Sequence, residues 1–290
     1  MSQLKENRTW QIIQNAVRGK YAVGAWGVYN TDGILAVIRA AERARSPAII
    51  QFFPWTMHFH GPAFIQYAAT VAHASSVPIS LHLDHCLKPS DVDISLECAF
   101  DSIMVDGSLF KGEEDENIAY VRSVVERAER KGMIVEAELG RVGGGVAGLP
   151  HIDKSVLTDP GKAREFVDRT GVSLLAPSIG NMHDSYPDEL PAEKCWEMDR
   201  LEKISAALGR DGTPLVLHGT HPVSDKLIQE AIRCGMSKIN QNQTVAQGYL
   251  GFLRDNAGKL KLTELQSEGV EVYSKDIEKF MGVIGSAGKA

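Results

Sequence analysis

The sequence predicts an α/β fold, a single (β/α)8 TIM barrel spanning residues 1–290 as one domain. Three observations predict it. Short runs rich in β-branched residues recur eight times, separated by longer amphipathic stretches. The short runs are close to continuously apolar, as parallel strands covered by helices on both faces must be. The out-of-place polar side chains fall at the C-terminal ends of these runs, which a parallel barrel gathers on one face.

The elements follow in order. "YAVGAWGVY" (21–29) is the first strand, and "TDGILAVIRAAERAR" after it is a helix with Thr31 placed to cap it. "PAIIQFF" (47–53) is the second strand. His58, His60 and His73 lie in or beside the helix that follows and read as structural. "VPISLHLDH" (77–85) and "DSIMVDGS" (101–108) are strands three and four. "EDENIAYVRSVVERAERKG" is a helix whose Lys-Gly end is a usual stop. "MIVEAELG" (133–140) is strand five, and "TDPGKAREFVDRTG" opens the next helix with a cap followed by proline. "VSLLAPSIG" (172–180) and "TPLVLHGT" (213–220) are strands six and seven, and "SDKLIQEAIRCG" is a helix ending in glycine. "SKINQNQ" (237–243) is strand eight, and the tail from about 255 reads as closing helices with a frayed end. Strand number alone does not prove closure, so a doubly wound sheet is the rival arrangement.

Composition narrows the function. The chain is 43% hydrophobic and 23% charged, enough for a large core and against long-range disorder. Its net charge of -6, with no basic stripe, argues against nucleic-acid and anionic-membrane partners. The N-terminus "MSQLKENRTW" lacks a hydrophobic signal core, and no apolar run is long enough to span a bilayer. The four cysteines, Cys86, Cys98, Cys195 and Cys234, form no C-x-x-C pair. A reduced, cytoplasmic enzyme is the expectation.

The strand ends carry the chemistry. Strand three ends in Asp84-His85, and strand four in Asp106-Gly107-Ser108. Strand five carries Glu136 and Glu138, two apart and so on one face. Strand six leads to His183, strand seven ends in His218-Gly219, and strand eight carries Asn240. Three histidines on separate strand ends, with carboxylates nearby, suit a catalytic zinc with three protein ligands and one open position. Taken singly, each residue has an ordinary reading. A lone strand-end histidine is more often a hydrogen-bonded structural group. Asp84 would serve to cap the following helix, and the glutamates would face solvent on an edge strand. Independent structural roles, however, would not collect every anomaly at the same end of its strand. His82 shares the face of Asp84 and reads as its supporting partner; His151 and His221 are loop residues near the mouth. Schiff-base chemistry needs a lysine inside the barrel near a strand's C-terminal end. Lys88 and Lys111 fall in loops and Lys238 at the start of its strand, so metal chemistry is favoured. A dinucleotide fold needs G-x-G-x-x-G after the first strand, which "GAWGVYNTDG" does not supply.

From "YAVGAWGVYN" to "KINQNQ", the motifs "LHLDHC", "MVDGS" with "ENI", "VEAELGRVGG", "LTDP" with "FVDRTGVSLLA" and "SIG", and "LVLHG" run in one order. In this the chain resembles the class II, metal-dependent fructose-bisphosphate and tagatose-bisphosphate aldolases over nearly its whole length. The resemblance implies a reversible aldol cleavage in which zinc polarises the ketone and stabilises an enediolate. It implies His85, His183 and His218 as zinc ligands, Asp84 as the aspartate serving the aldehyde oxygen, and Glu138, with Glu136 second to it, as the glutamate near the metal. Asp106 matches a second cation site of some members, so a second monovalent or divalent ion is a further expectation, and Asn240 matches an asparagine that binds the ketose part.

Three departures set this chain apart. Where the resemblance leads one to expect H-G, it has His183-Asp184. In place of H-G-G-S-G it has His218-Gly219-Thr220-His221-Pro222, and in place of N-x-D-T it has Asn240-Gln241-Asn242-Gln243. The missing glycines and hydroxyls are those that cradle the phosphate of dihydroxyacetone phosphate in the family, by bare backbone donors. Gly219, His221 and Asp184 are therefore the candidate substrate contacts that would set a different preference. The lid loop departs as well: "GVAGLPHID" lacks the acidic residues that move a proton in relatives, and His151, Asp153 or a water would have to substitute. The expected function is a zinc-dependent aldolase acting on a small sugar or sugar phosphate, with specificity changed from fructose 1,6-bisphosphate, as a homodimer or homotetramer. A conventional fructose-bisphosphate aldolase and a metal-binding barrel without aldolase activity stay open as alternatives.

Overall fold

The computed structural model describes residues 3–105, 114–142, 157–183, 186, 190–209 and 212–290. Eight strands, β1 (Val23–Gly27), β2 (Ala48–Phe52), β3 (Ile79–Cys86), β4 (Ser102–Val105), β5 (Ile134–Leu139), β6 (Leu174–Pro177), β7 (Leu215–Leu217) and β8 (Met236–Gln241), pair in parallel in chain order. The sheet closes: β8 lies against β1 with Ala25 beside Asn240 and Val23 beside Lys238. A doubly wound sheet is thereby ruled out, and the fold is a (β/α)8 barrel. Each predicted run carries one strand, with ends shifted where the polar tips leave the ladder to form the mouth.

Every residue of β1, β2, β4 and β8 is buried, because one face lines the barrel and the other meets helices. The larger core lies outside the barrel, where Ile50, Phe52, Leu81 and Leu83 join the apolar faces of the surrounding helices. A second core lies inside at the N-terminal end. There α1 (Arg8–Gly19), an element that sequence reading left unassigned, inserts Ile12, Ile13 and Ala16 against Val23, Ile49, Ile134, Leu174 and Val216. Asn7 starts α1 by accepting a hydrogen bond from the Trp10 amide. One end of the barrel is plugged by this helix, so the polar groups collect at the other.

The remaining helices are α2 (Thr31–Ala44), α3 (Pro54–His60), α4 (Pro62–His73), α5 (Pro89–Ser95), α6 (Glu114–Arg130), α7 (Pro160–Thr170), α8 (Ala192–Cys195), α9 (Met198–Leu208), α10 (Asp225–Arg233), α11 (Gln243–Asn256) and α12 (Leu262–Val283). Two local expectations are corrected. The cap of α2 is Asn30, whose Oδ1 accepts from the Gly33 amide, because Asn30 keeps the extended backbone a cap needs while Thr31 is already helical. The C-terminal tail is pinned rather than frayed: Gly288 and Ala290 donate their amides to the Ala44 and Arg45 carbonyls, and Ser286 bonds Ser46 at 2.8 Å. No helix among the described residues is long and apolar enough to cross a membrane.

Candidate metal centre

The strand pleat decides which side chains reach the barrel interior. Along β3, Leu81 and Leu83 turn out to the helices, while His82 and Asp84 are buried among polar groups inside. Strict alternation would send His85 outward with Leu83. Two features re-aim it. The register of β3 against β4 shifts between Leu83 and Cys86, and His85 has φ 48°, the left-handed region that side chains other than glycine seldom enter. The bulge brings consecutive residues, Asp84 and His85, to one site.

His218 follows β7 directly, and His183 lies in the loop after β6. These two segments are knitted together. Asn181 donates its amide to the His218 carbonyl at 2.9 Å and accepts from the Ile179 amide. The Tyr186 hydroxyl accepts from the Met182 amide and Trp196 Nε1 and donates to the Gly219 carbonyl. Burial raises the Tyr186 phenol to about 12, so it stays protonated and keeps that donation. Gly219 has φ 66°, and a Cβ there would stand 2.3 Å from the Met182 carbonyl oxygen. Only glycine lets the two segments come this close. The result sets His183 beside His218.

The three imidazoles meet nearly at right angles. Ring centroids are 4.8 Å apart for His85 and His183, 5.0 Å for His85 and His218, and 5.5 Å for His183 and His218. Ligand atoms of His85, His183, His218 and Glu138 all lie within 4.8 Å of one another. His218 Nδ1 and His85 Nε2 face each other at 3.2 Å. Ligands of a tetrahedral zinc with bonds of ~2.0–2.1 Å stand about 3.3–3.4 Å apart, so this spacing fits such an ion, as does the nitrogen-rich donor set. Glu138 Oε1 accepts the Val142 amide at 3.0 Å, which fixes the carboxylate at the cluster's edge.

A second group of possible ligands, His82, Asp84 and Glu136, lies in the same interior and is fully enclosed. A cation of the protein's own sits against it. Lys238 Nζ is 2.8 Å from Glu136 Oε2, and both side chains are 0% exposed. Sequence reading set Lys238 aside as lying at the start of its strand. On β8 it instead shares the inward face of Asn240, two residues on, so the i, i+2 pleat was the signal to follow. Bound to a carboxylate and two carbonyl oxygens, it acts as a donor and is not presented as a nucleophile. Gln51, a polar residue inside the apolar run of β2, was also missed; its Nε2 donates to Asp84 Oδ2 at 2.7 Å.

Charges in this enclosure are set by the neighbours. Burial pushes the Asp84 carboxyl up, but His85, His218 and Lys238 outweigh it and hold it below its ordinary range. Burial likewise opposes ionisation of Glu136, yet Lys238 and the His218 hydrogen bond keep it well below the usual carboxylate range. Burial, reinforced by Lys238, lowers His82 to about 3. His82 Nδ1 faces Ser102 Oγ at 2.8 Å, and its Nε2 stands 3.6 Å from Glu136 and 3.9 Å from Asp84.

Of the other expected site residues, Asn240 lies with Nδ2 3.3 Å from Asp84 Oδ2. His221 is held outside the cluster, its Nδ1 2.9 Å from Thr244 Oγ1 of α11, and burial lowers it from the ordinary histidine value. Thr220 bonds the Asn240 carbonyl through its hydroxyl. Asp106, Asp184, His151, Asp153 and Lys111 lie outside the described residues. His58, His60 and His73 make local bonds to Asp91, the Tyr29 carbonyl and Asp101, as structural histidines do. The mouth beside β1 and β2 is aromatic. Phe53 stacks on His85 (centroids 6.4 Å, planes 7° apart), Tyr29 on Phe53 (6.0 Å, 10°), and Trp55 meets Tyr29 edge-on at 6.4 Å. Trp55 is 58% exposed, so the wall opens to solvent.

A closed parallel barrel with three converging imidazoles and a carboxylate at its C-terminal mouth has the build of a metal-dependent barrel enzyme. The family model "Fructose-bisphosphate aldolase class-II" matches residues 7–289. A Coccidioides immitis protein provisionally named as a fructose-bisphosphate aldolase is 39% identical over 297 residues, covering 99% of this chain and 96% of its own. The fructose-bisphosphate aldolase of Streptococcus pyogenes serotype M3 is 33% identical over 303 residues, covering 97% and 98%. In structure, the chain superposes on a Coccidioides immitis protein provisionally named as a fructose-1,6-bisphosphate aldolase with a TM-score of 0.90 at 38% identity and on the YdjI aldolase of Escherichia coli K12 with 0.83 at 29% identity, covering 98% of each chain in both cases. The chain belongs to the class II fructose-bisphosphate aldolase family and is a carbon–carbon lyase; membership implies metal-dependent aldol cleavage.

Proposed function

We propose that this chain catalyses reversible retro-aldol cleavage of a ketose with a single zinc ion held by His85, His183 and His218, Glu138 standing beside them, and that its specificity has moved away from fructose 1,6-bisphosphate. The observation that carries the reading is the convergence of three imidazoles from three strand ends, two of their nitrogens facing at 3.2 Å. A zinc ion bound there supplies Lewis-acid polarisation of the substrate carbonyl.

The chain's own groups do the rest. Asp84, ionised and fixed by Gln51, takes the proton of the hydroxyl that becomes the aldehyde oxygen. The carbon–carbon bond next to that hydroxyl carbon breaks, its electron pair passes to the ketose fragment, and the released carbon of that fragment takes a proton from water. Asn240 offers its amide N–H groups beside Asp84 to hold that fragment. The barrel floor plugged by α1 leaves the mouth as the way in. Changed specificity is supported at both ends of the substrate. On the β7 side, Pro222 has no amide to donate, Thr220 spends its hydroxyl on the Asn240 carbonyl, and His221 is tied to Thr244. On the β2 side, Phe53-Pro54-Trp55 presents ring faces where a charged group would need donors. An uncharged hydroxymethyl end and an uncharged aldehyde half fit these surfaces. The four cysteines, which form no C-x-x-C pair, accord with a reducing, cytoplasmic setting, and a homo-oligomer completes the proposal.

The experiment is cleavage of a panel of phosphorylated and unphosphorylated ketoses by the zinc-loaded chain, with released aldehyde trapped. Cleavage of a ketose other than fructose 1,6-bisphosphate, faster than of that sugar, is expected. Cleavage of fructose 1,6-bisphosphate above all others would overturn the specificity, and cleavage of none would overturn the activity.

A further inference from the structure

Lys238 sits below the three histidines with no exposed surface. Its Nζ is 2.8 Å from Glu136 Oε2, 2.8 Å from Asn240 Oδ1 and 3.3 Å from Gln51 Oε1. An ammonium has three N–H donors and no acceptor, so these contacts use its whole capacity. Each of its three partners reaches the site with its other end. Gln51 Nε2 donates to Asp84 Oδ2 at 2.7 Å, and Asn240 Nδ2 lies 3.3 Å from the same oxygen. Glu136 Oε1 is 2.8 Å from His218 Nε2.

The consequence is one of polarity. A primary amide has an acceptor end and a donor end. With both carbonyls held by Lys238, both amides turn their N–H groups to Asp84. A carboxylate that accepts from Nε2–H leaves Nδ1 of His218 as the nitrogen available to a ligand, and Nδ1 is the atom that faces His85. Without the ammonium, nothing among the described contacts stops Gln51 or Asn240 from turning a carbonyl to Asp84, or Glu136 from swinging away from the His218 ring.

We propose that Lys238 is a positioning residue that sets the donor direction of Gln51 and Asn240 and the ring nitrogen His218 offers. A plain structural role for the buried pair makes a different prediction. Such pairs are often replaced by apolar groups with little change beyond stability. The proposal rests on the reading of His85, His183 and His218 as a metal centre, and the test separates the two.

The test compares the wild-type chain with Lys238→Met, which keeps length and loses the charge, and with Lys238→Arg. The zinc dissociation constant is measured by competition with a chromophoric chelator. The tautomer of His218 is read in the metal-free chain by nitrogen-15 NMR. One zinc per wild-type chain, an affinity lower by roughly 10–100-fold in Lys238→Met with partial recovery in Lys238→Arg, and an Nε2–H tautomer in the wild type are expected. Equal zinc affinity in a folded Lys238→Met, with only its melting temperature changed, would overturn the proposal. If Lys238→Met does not fold, the wild-type tautomer decides, and Nδ1–H at His218 would overturn it. A wild-type chain that binds no zinc would instead remove the metal-centre reading beneath it.

Discussion

Glu136 and His218 hold each other at the base of the mouth, Oε1 to Nε2 at 2.8 Å, both side chains buried. Carboxylates that accept the outer N–H of a ligand histidine fix its ring and tautomer, and their loss costs ~10–100-fold in metal affinity. Glu136→Gln still offers one oxygen, but turning it to His218 points an amide N–H at Lys238. Zinc affinity is expected to fall by about that factor, measured by chelator competition. The buried Lys238 loses its counter-charge, so the metal-free chain should also lose about 3–5 kcal/mol, read by urea denaturation.

Asp84 is enclosed, ionised and in contact with Gln51, yet outside the cluster of His85, His183, His218 and Glu138. Asp84→Ala is expected to lower kcat by ~10²–10⁴-fold on the true substrate while zinc content stays at the wild-type level. Parallel loss of zinc and rate would instead make Asp84 a ligand.

His82 links pH to stability. Its folded value of about 3 lies below the ordinary 6.5, so the folded chain resists a proton that the unfolded chain accepts. The neutral ring's contribution is fully present above about pH 6.5 and is lost as pH falls from there toward 3. At roughly 1.4 kcal/mol per pKa unit, the loss is at most about 5 kcal/mol. Urea denaturation between pH 7 and pH 4 should show a steeper fall for the wild type than for His82→Gln. Equal slopes would show that His82 carries no such linkage.

The cradle departures make a gain-of-binding prediction. Asp184→Gly, Thr220→Gly, His221→Ser and Pro222→Gly together restore small residues and a missing amide. Dihydroxyacetone phosphate should then bind at least tenfold more tightly, a difference of about 1.4 kcal/mol. A micromolar Michaelis constant for that ketose in the unaltered chain would contradict the cradle argument.

Much of this architecture was legible in the residues. The apolar runs gave eight strands, and their polar tips gave the mouth, because burial on two faces leaves few places for Asp84, His183 or His218. Closure was favoured by the eight repeated units but not proved by them. It depends on β8 meeting β1, a contact between segments more than 200 residues apart that no local pattern encodes. The inward turn of His85 was invisible for a related reason, since it needs a bulge that breaks the pleat from which facing is read. Lys238 was misplaced because a charged residue early in a strand reads as a solvated end, whereas α1 seals that end and turns it into interior. Gln51 carried a signal, a lone amide in an apolar run, but its partner Asp84 comes from the next strand.

The central claim is that His85, His183 and His218 hold one zinc ion at the mouth of the barrel. Diffraction from zinc-loaded crystals at the zinc absorption edge tests it most directly. One anomalous peak per chain is expected among the three rings, within ~2.0–2.1 Å of a nitrogen of each. An anomalous map with no peak there, or with zinc bound only elsewhere on the chain, would contradict the account.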